Sequence, residues 1–385
     1  MSDKNTVIER IDNAIKSIKE KHCTFHFFVV NSNNIPNGSM SYIYQMAKYL
    51  HNTGYNVKMI YQLPNEYTRE ELEELNKKEE YVDESRIFHE ASEWMGEEYS
   101  GLPHLNISKE EWMVSPSDFL FIPEVFSSLM FETYKHNIPC KRYVILQNYN
   151  LVSEFIPLGV QWSNYGIFDA ICSTEMQSER IKSVFPYIKT KVLNPYIDDC
   201  FREGITPQNL IVNIIAKNQS DVHKIVKPFY WKYPIYKFVS FRDLRNFPRH
   251  DYAEMLKSSA ITVWVDTDSQ FGYSPLEAMR CGNIVIGKMT ETIPEWATDG
   301  DTLYDNMIWF NNINDVHKML ASVIGSWMRD EIPEELTNAV KETNKKYRFE
   351  NWREDADNTF QKIIDDRIKE LEETKIIAKN SNDNE

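Results

Sequence analysis

The sequence predicts an α/β protein of two domains, each built on a parallel sheet, and three observations carry that prediction. The stretch from Ala260 to Trp296 reads strand, loop, helix, strand: a β-branched run from Ile261 to Val265, a polar loop, a short apolar helix, and a second apolar strand from Asn283 to Gly287. Continuous apolar runs of this kind suit strands buried on both faces of a parallel sheet. The stretch from Thr24 to Tyr61 repeats the same order around Gly38. At 385 residues the chain is long enough for two such domains.

Residues 5 to 20 carry Val7, Ile8, Ile11, Ala14, Ile15 and Ile18 at helical spacing, which predicts a leading helix. Thr24 to Val30 predicts the first strand. Gly38 and Ser39 lie in a turn-rich loop after it, and Tyr42, Met46, Tyr49 and Leu50 then give a helical face. Gly54 ends that helix before a strand at Asn56 to Tyr61. This is a Rossmann-like opening, although a plain tight turn at Gly38 satisfies the same letters. Residues 65 to 98 hold 13 acidic and 4 basic side chains, which predicts a solvated helix or surface insertion. Strands are expected at Asp118–Ile122, Tyr143–Leu146, Ala170–Ser173 and Lys191–Asn194. Pro195, Gly204 and Pro207 then interrupt all periodicity and place a domain boundary near Asn194 to Asn209. Beyond it, Leu210–Ala216 predicts a strand, Ile225–Tyr236 a helix and turn, and Tyr236–Phe241 another strand. After Trp296, Ile308–Phe310 reads as a short strand, and Asp315–Trp327 and Pro333–Tyr347 as helices. Phe349–Leu371 reads as a long amphipathic helix with Trp352 and Phe360 on its apolar side. The last dozen residues, polar and charged, are expected to fray.

Composition narrows the function. The chain is 42% hydrophobic and 26% charged, as ordinary globular proteins are. The charged N-terminus offers no apolar leader, and no apolar run approaches the roughly 18 residues needed to span a bilayer. Five scattered cysteines without a C-x-x-C pair fit a reducing cytoplasm. The nine histidines never fall at metal-ligand spacing. Zinc-hydrolase, P-loop and serine-hydrolase motifs are absent. Net charge is −15, which argues against non-specific binding to nucleic acid or anionic lipid. Lys217 to Arg249 nevertheless carries 8 basic and 2 acidic side chains. That local island argues for one anionic ligand held by the second half of the chain.

The central stretch suggests where. Pro275 suits the first turn of a helix, and Cys281-Gly282 its end. A helix N-terminus at the carboxyl edge of a parallel sheet offers N–H groups and partial positive charge to an anion such as a diphosphate. Glu277 is the one carboxylate in its first turns. These residues, FGYSPLEAMRCGNIVIG, resemble the donor-site signature of retaining GT-B glycosyltransferases of the GT4 kind, whose loop-helix reads E-x-FG-x-x-x-x-EA-x-x-x-G. The resemblance implies the GT-B fold: two Rossmann-like domains facing across a donor/acceptor cleft, at 1–195 and 196–348. It also implies that residues 349–385 hold a terminal helix crossing back to the first domain, then a polar tail.

It further implies transfer of a sugar from a nucleotide sugar to an unidentified acceptor, with retention, with no cofactor and without metal. Glu277 becomes the ligand of the nucleotide ribose. Phe271, Gly272, Tyr273 and Ser274 form the donor loop. The first Glu of the signature falls on Ser269, so the pattern is broken there, and Asp266 or Asp268 is its possible stand-in at a sugar hydroxyl. Lys217 and Lys224 match the basic pair that neutralises the departing diphosphate, although Lys lacks the bidentate fork of Arg. Gly38 and Ser39 match the glycine loop of the first domain. Gln147 stands where the family often has a His, and the segment from Asn194 to Phe201 resembles the N-G-V-D hinge without its Gly.

Ser269, Gln147 and that missing Gly keep open a second reading, a non-catalytic GT-B subunit that binds a glycan or stabilises a partner. A third is a viral type of enzyme that glycosylates modified DNA bases. Its patch would be the basic island with Tyr230, Trp231, Tyr233 and Phe247 interleaved. The first domain is acidic rather than basic, which disfavours membrane association.

Overall fold

In the computed structural model the described residues are 2–202, 204, 208–265, 270–289, 293–298 and 302–380, with side chains from Thr6 onward. They divide into two compact units, Met1–Leu193 with Glu354–Glu385, and Asn194–Arg353.

The first unit holds seven strands: β1 (Thr24–Phe28), β2 (Asn56–Tyr61), β3 (His104–Asn106), β4 (Phe119–Pro123), β5 (Lys141–Leu146), β6 (Asp169–Cys172) and β7 (Lys189–Val192). Their order in the sheet is β3-β2-β1-β4-β5-β6-β7, and every neighbouring pair is parallel. The order reverses between β1 and β4, the doubly wound arrangement. Its helices are α1 (Ser2–Lys19), α2 (Gly38–Asn52), α3 (Arg69–Lys78), α4 (Ala91–Trp94), α5 (Ser127–Lys135), α6 (Tyr149–Phe155) and α7 (Glu175–Val184).

The second unit has five strands, β8 (Asn209–Ile215), β9 (Ser240–Asp243), β10 (Ser259–Trp264), β11 (Ile284–Lys288) and β12 (Ile308–Phe310). They are ordered β12-β11-β10-β8-β9 and are again all parallel. Helices α8 (Gln219–Lys232), α9 (Arg249–Lys257), α10 (Tyr273–Arg280), α11 (Val316–Met328) and α12 (Glu334–Lys346) connect and follow them. The last helix, α13 (Phe349–Asn380), gives its first residues to the second unit and the rest to the first.

Why the central stretch becomes a central strand is visible in its side chains. All six residues of β10 are buried. Successive side chains of a strand point to opposite faces. Ile261 and Val263, with Val265 beyond them, therefore join one core cluster with Val212, Ile214 and Ile286, while Trp264 joins another with Phe271, Leu276 and Val285. Among the polar members of these strands, Thr262 donates to the Asn283 side-chain carbonyl at 2.6 Å.

The structure departs from the sequence expectation in four places. β3 follows a segment with no apolar alternation and was invisible for that reason; it pairs with β2. The acidic segment does include a fully solvated helix, α3, but Ala91, Trp94 and Tyr99 are buried, so its second half packs. The strand expected at Tyr236–Phe241 is β9, displaced toward its C-terminal end. Tyr236 instead belongs to a 3-10 turn begun by Pro234, and its ring packs on Phe229 at 5.8 Å. The terminal helix continues to Asn380 where fraying was expected. It is tied down by Phe360 against Phe25 and Tyr49 and by Lys191 with Asp366 at 2.7 Å.

Candidate functional site

In the second sheet the strand order reverses between β8 and β10, and ligands of open parallel sheets bind outside the carboxyl ends of strands at such a reversal. Ile215 and Trp264 are register partners there, and the Val265 N–H donates to the Ile215 carbonyl at 2.9 Å. Two segments leave the sheet at this point. One is Ala216-Lys217 after β8; the other is the loop from β10 to α10. Asp266, Asp268 and Ser269 of that loop lie outside the described residues.

The described part of the loop is held rigidly from below. Gly272 has a φ of 74°, a left-handed conformation that favours glycine. A Cβ at this position would meet Trp296 at 3.3 Å and Trp264 at 3.5 Å. Glycine avoids the backbone strain and the crowding against Trp296. Phe271 is buried, packs edge-on to Tyr273 and Tyr347, and accepts a hydrogen bond through its carbonyl from Trp296 Nε1 at 2.5 Å. Its side chain is therefore an anchor of the loop in the core.

Glu277 lies in the second turn of α10, not the first, and is 8% exposed. Burial pushes its carboxyl up to about 7, against the partly compensating pull of Arg249 and with a further push from Asp198. Arg249, the first residue of α9, pairs with Asp198, and both are buried. The guanidinium also stands 5.2 Å from the Phe201 ring centroid. Tyr252, one turn along α9, is raised well above the usual phenol range by burial and by Glu277, and Ser274 lies beside its hydroxyl. No described residue donates a hydrogen bond to the Glu277 carboxylate. The carboxylate oxygens thus keep their acceptor capacity for water or a ligand.

The remaining expected residues are placed as follows. Lys217 is exposed and follows β8 by two positions. Lys224 lies on α8, where Asp221 holds its ammonium at 2.7 Å in an exposed pair, so its charge is already engaged locally. Tyr273 and Ser274 open α10 and are half-buried. Gly38 and Ser39 open α2 in the first unit, but the Asn37 side chain accepts from the Ser39 and Met40 N–H groups. The α2 N-terminus is thereby capped by its own chain, and Gly38 takes up no left-handed conformation. Of the expected set, α10 brings together Phe271, Gly272, Tyr273, Ser274 and Glu277. The sheet reversal sets Lys217 at the same edge.

No family model matches the chain. It is 20% identical over 299 residues to an alpha-1,6-glucosyltransferase of Actinobacillus pleuropneumoniae serotype 7 (strain AP76), spanning 71% of this chain and 83% of that protein. In structure it is similar to the pneumococcal O-GlcNAc transferase GtfA in complex with UDP and GlcNAc, with a TM-score of 0.58 and 9% identity over 90% of this chain and 99% of that one. It is likewise similar to Anabaena Alr3699/HepE in complex with UDP-glucose, with a TM-score of 0.56 and 10% identity over 88% and 99%. The chain has the GT-B fold.

Two residues of this GT-B chain at the candidate site were missed by reading the sequence. Asp198 belongs to the segment matched to the hinge motif, so its letters were noticed but not its partner. Arg249 had no signal beyond membership of the basic island, because burial of a charge cannot be read from spacing. The first unit has a counterpart. Glu124, just past β4 at the other reversal of strand order, is 2% exposed and pushed up to about 7 by burial. It accepts the backbone N–H of Asn148 at 2.8 Å and of Gln147 at 3.3 Å, which fixes the start of α6.

Proposed function

We propose that this GT-B chain is a glycosyltransferase that takes a sugar from a uridine-diphosphate sugar and passes it to an acceptor with retention of configuration and without metal. The observation that carries the reading is the Glu277 carboxylate, buried at the carboxyl edge of the sheet reversal with no donor among the described residues. A pair of ribose hydroxyls supplies the two hydrogen bonds that this acid lacks. The α10 N-terminus and Lys217 then offset the charge of the departing diphosphate by preorganised electrostatics. The complexes of GtfA with UDP and of Alr3699/HepE with UDP-glucose support uridine as the nucleoside. In this reading the leaving diphosphate itself accepts the acceptor proton, so no enzymic base is required near Gln147.

The test is release of UDP from UDP-glucose and UDP-N-acetylglucosamine by water alone, with and without EDTA. Slow release that EDTA leaves unchanged is expected. Tight UDP-sugar binding with no release from either donor would favour the non-catalytic reading, and activity restored only by Mg²⁺ or Mn²⁺ would overturn the metal-free mechanism. A second expected result separates phosphate from nucleoside contacts. Lys217→Ala should weaken UDP by roughly 1.5 kcal/mol or more while leaving uridine almost unaffected, because only the former carries the anion. Equal weakening in calorimetry would remove Lys217 from the diphosphate site.

A further inference from the structure

The basic island that the sequence offered as a nucleic-acid patch is divided by the fold into an inner and an outer face. Tyr230 donates its hydroxyl to the Val239 carbonyl at 2.6 Å, and Tyr230, Tyr233 and Tyr236 all pack around the buried Phe229. Phe247 packs against the other core cluster. The stacking platform expected from Tyr230, Tyr233 and Phe247 is therefore spent inside the protein.

What remains outside is a different surface. Trp231 is 76% exposed, Ile235 77% and Phe238 57%. All three come from the last turn of α8, the 3-10 turn after it and the approach to β9. Lys227, Lys232 and Lys237 are exposed among them. Gly325 of α11 lies against Tyr236, which brings the end of α11 alongside, and Met328 there is 54% exposed. Arg329 beside it is neutralised by Glu331. The surface thus presents four large apolar side chains and three lysines on a chain whose net charge is −15.

We propose that this surface docks the protein peripherally on an anionic lipid bilayer. Large apolar side chains flanked by lysines suit the boundary between headgroups and acyl chains, where the former enter and the latter meet lipid phosphate. Ile235 and Met328 give nucleic-acid bases nothing to stack on. Position agrees with such a role. Phe238 precedes β9, so the patch lies at the amino edge of the sheet, whereas Lys217 leaves the parallel β8 at the carboxyl edge. Lipid at one end of the unit leaves the donor end clear. No described helix is long and apolar enough to cross a membrane, so the contact is with the surface alone. The expectation against membranes rested on the net charge of −15 and on the acidic first unit; this patch is a local group of exposed lysines in the second.

Sedimentation of the full chain with vesicles of phosphatidylcholine, alone or with phosphatidylglycerol, tests the proposal. Binding is expected on the anionic vesicles, weakened by salt. The triple variant W231S/I235S/F238S should fall to background, and K232Q/K237Q should bind roughly tenfold more weakly. Both variants should bind UDP as the parent does, which reports that the unit is folded. The proposal is overturned if the parent stays in the supernatant with anionic vesicles, or if it sediments equally well with either variant. It is also overturned if the patch proves to shift duplex DNA or to hold two copies of the chain together in place of lipid.

Discussion

Glu277→Gln should weaken UDP binding and stabilise the protein at the same time. The loss of affinity is expected at roughly 1.5–3 kcal/mol, the scale of hydrogen bonds to a charged acceptor. The gain in stability follows from the raised carboxyl. Its folded value of about 7 lies above the unfolded value of 4.5. The folded chain therefore holds a proton there that the unfolded chain has released, and burial of Glu277 is free of charge cost only below about pH 4.5. As pH rises from there through 7 the parent loses stability, by an amount on the order of 3 kcal/mol. The Gln variant does not. Urea unfolding at pH 8 should show the variant more stable, with the difference vanishing below about pH 4.5. Glu124 titrates over the same window in both proteins and cancels in the comparison. Hydrogen bonds from ribose favour the ionised acid, so UDP binding near pH 7 should release a proton, seen in calorimetry as a dependence on buffer ionisation enthalpy. Unchanged affinity in a well-folded variant would sink the ribose assignment, and no proton release would leave Glu277 as a structural acid.

Arg249→Met should be among the most damaging single substitutions in the second unit. The side chain is 5% exposed and is the cation that faces both Asp198 and Glu277. Removing one partner of a buried pair strands the other charge, at a cost of about 3–5 kcal/mol. Here it strands Asp198 and also withdraws the attraction that lowers Glu277, whose carboxyl should rise further. The loss should therefore be larger at pH 8 than near pH 5, where Glu277 is already protonated. Adding Asp198→Asn to the variant should recover part of the stability, because the stranded charge is then gone. A loss under about 1 kcal/mol, the range of exposed pairs, would show that this cluster is solvated in practice. Because Arg249 also sets the state of Glu277, its removal should reduce UDP affinity even where the protein stays folded.

The contrast between these two residues shows what could be read without coordinates. Glu277 was legible because its signal is local. It stands five positions past Gly272, in a helix with Pro near its start and Gly after its end, following a β-branched run. The same holds for β1, β8 and β10, whose apolar runs are set by burial on both faces, and for α2, where Tyr42, Met46, Tyr49 and Leu50 recur at the helical period and are buried. Chain-local physics of that kind determined the two α/β units and helix α10. Lys224 and Gly38 show the reverse. Their spacing matched a pattern but carried nothing of their neighbours: Asp221 pairs with the first at the surface and Asn37 caps the helix that the second one opens. Arg249 and Asp198 are 51 positions apart with no common motif, and β9, which lies between them in sequence, is at the far edge of the sheet. The sequence by itself determined which segments become strands and helices and which helix faces the carboxyl edge. Tertiary structure alone decided the order of the strands, and with it the reversal that sets Lys217 at the same sheet edge as Phe271 and Gly272. It alone decided which charges are buried, because pairing and desolvation depend on neighbours that no spacing along the chain encodes.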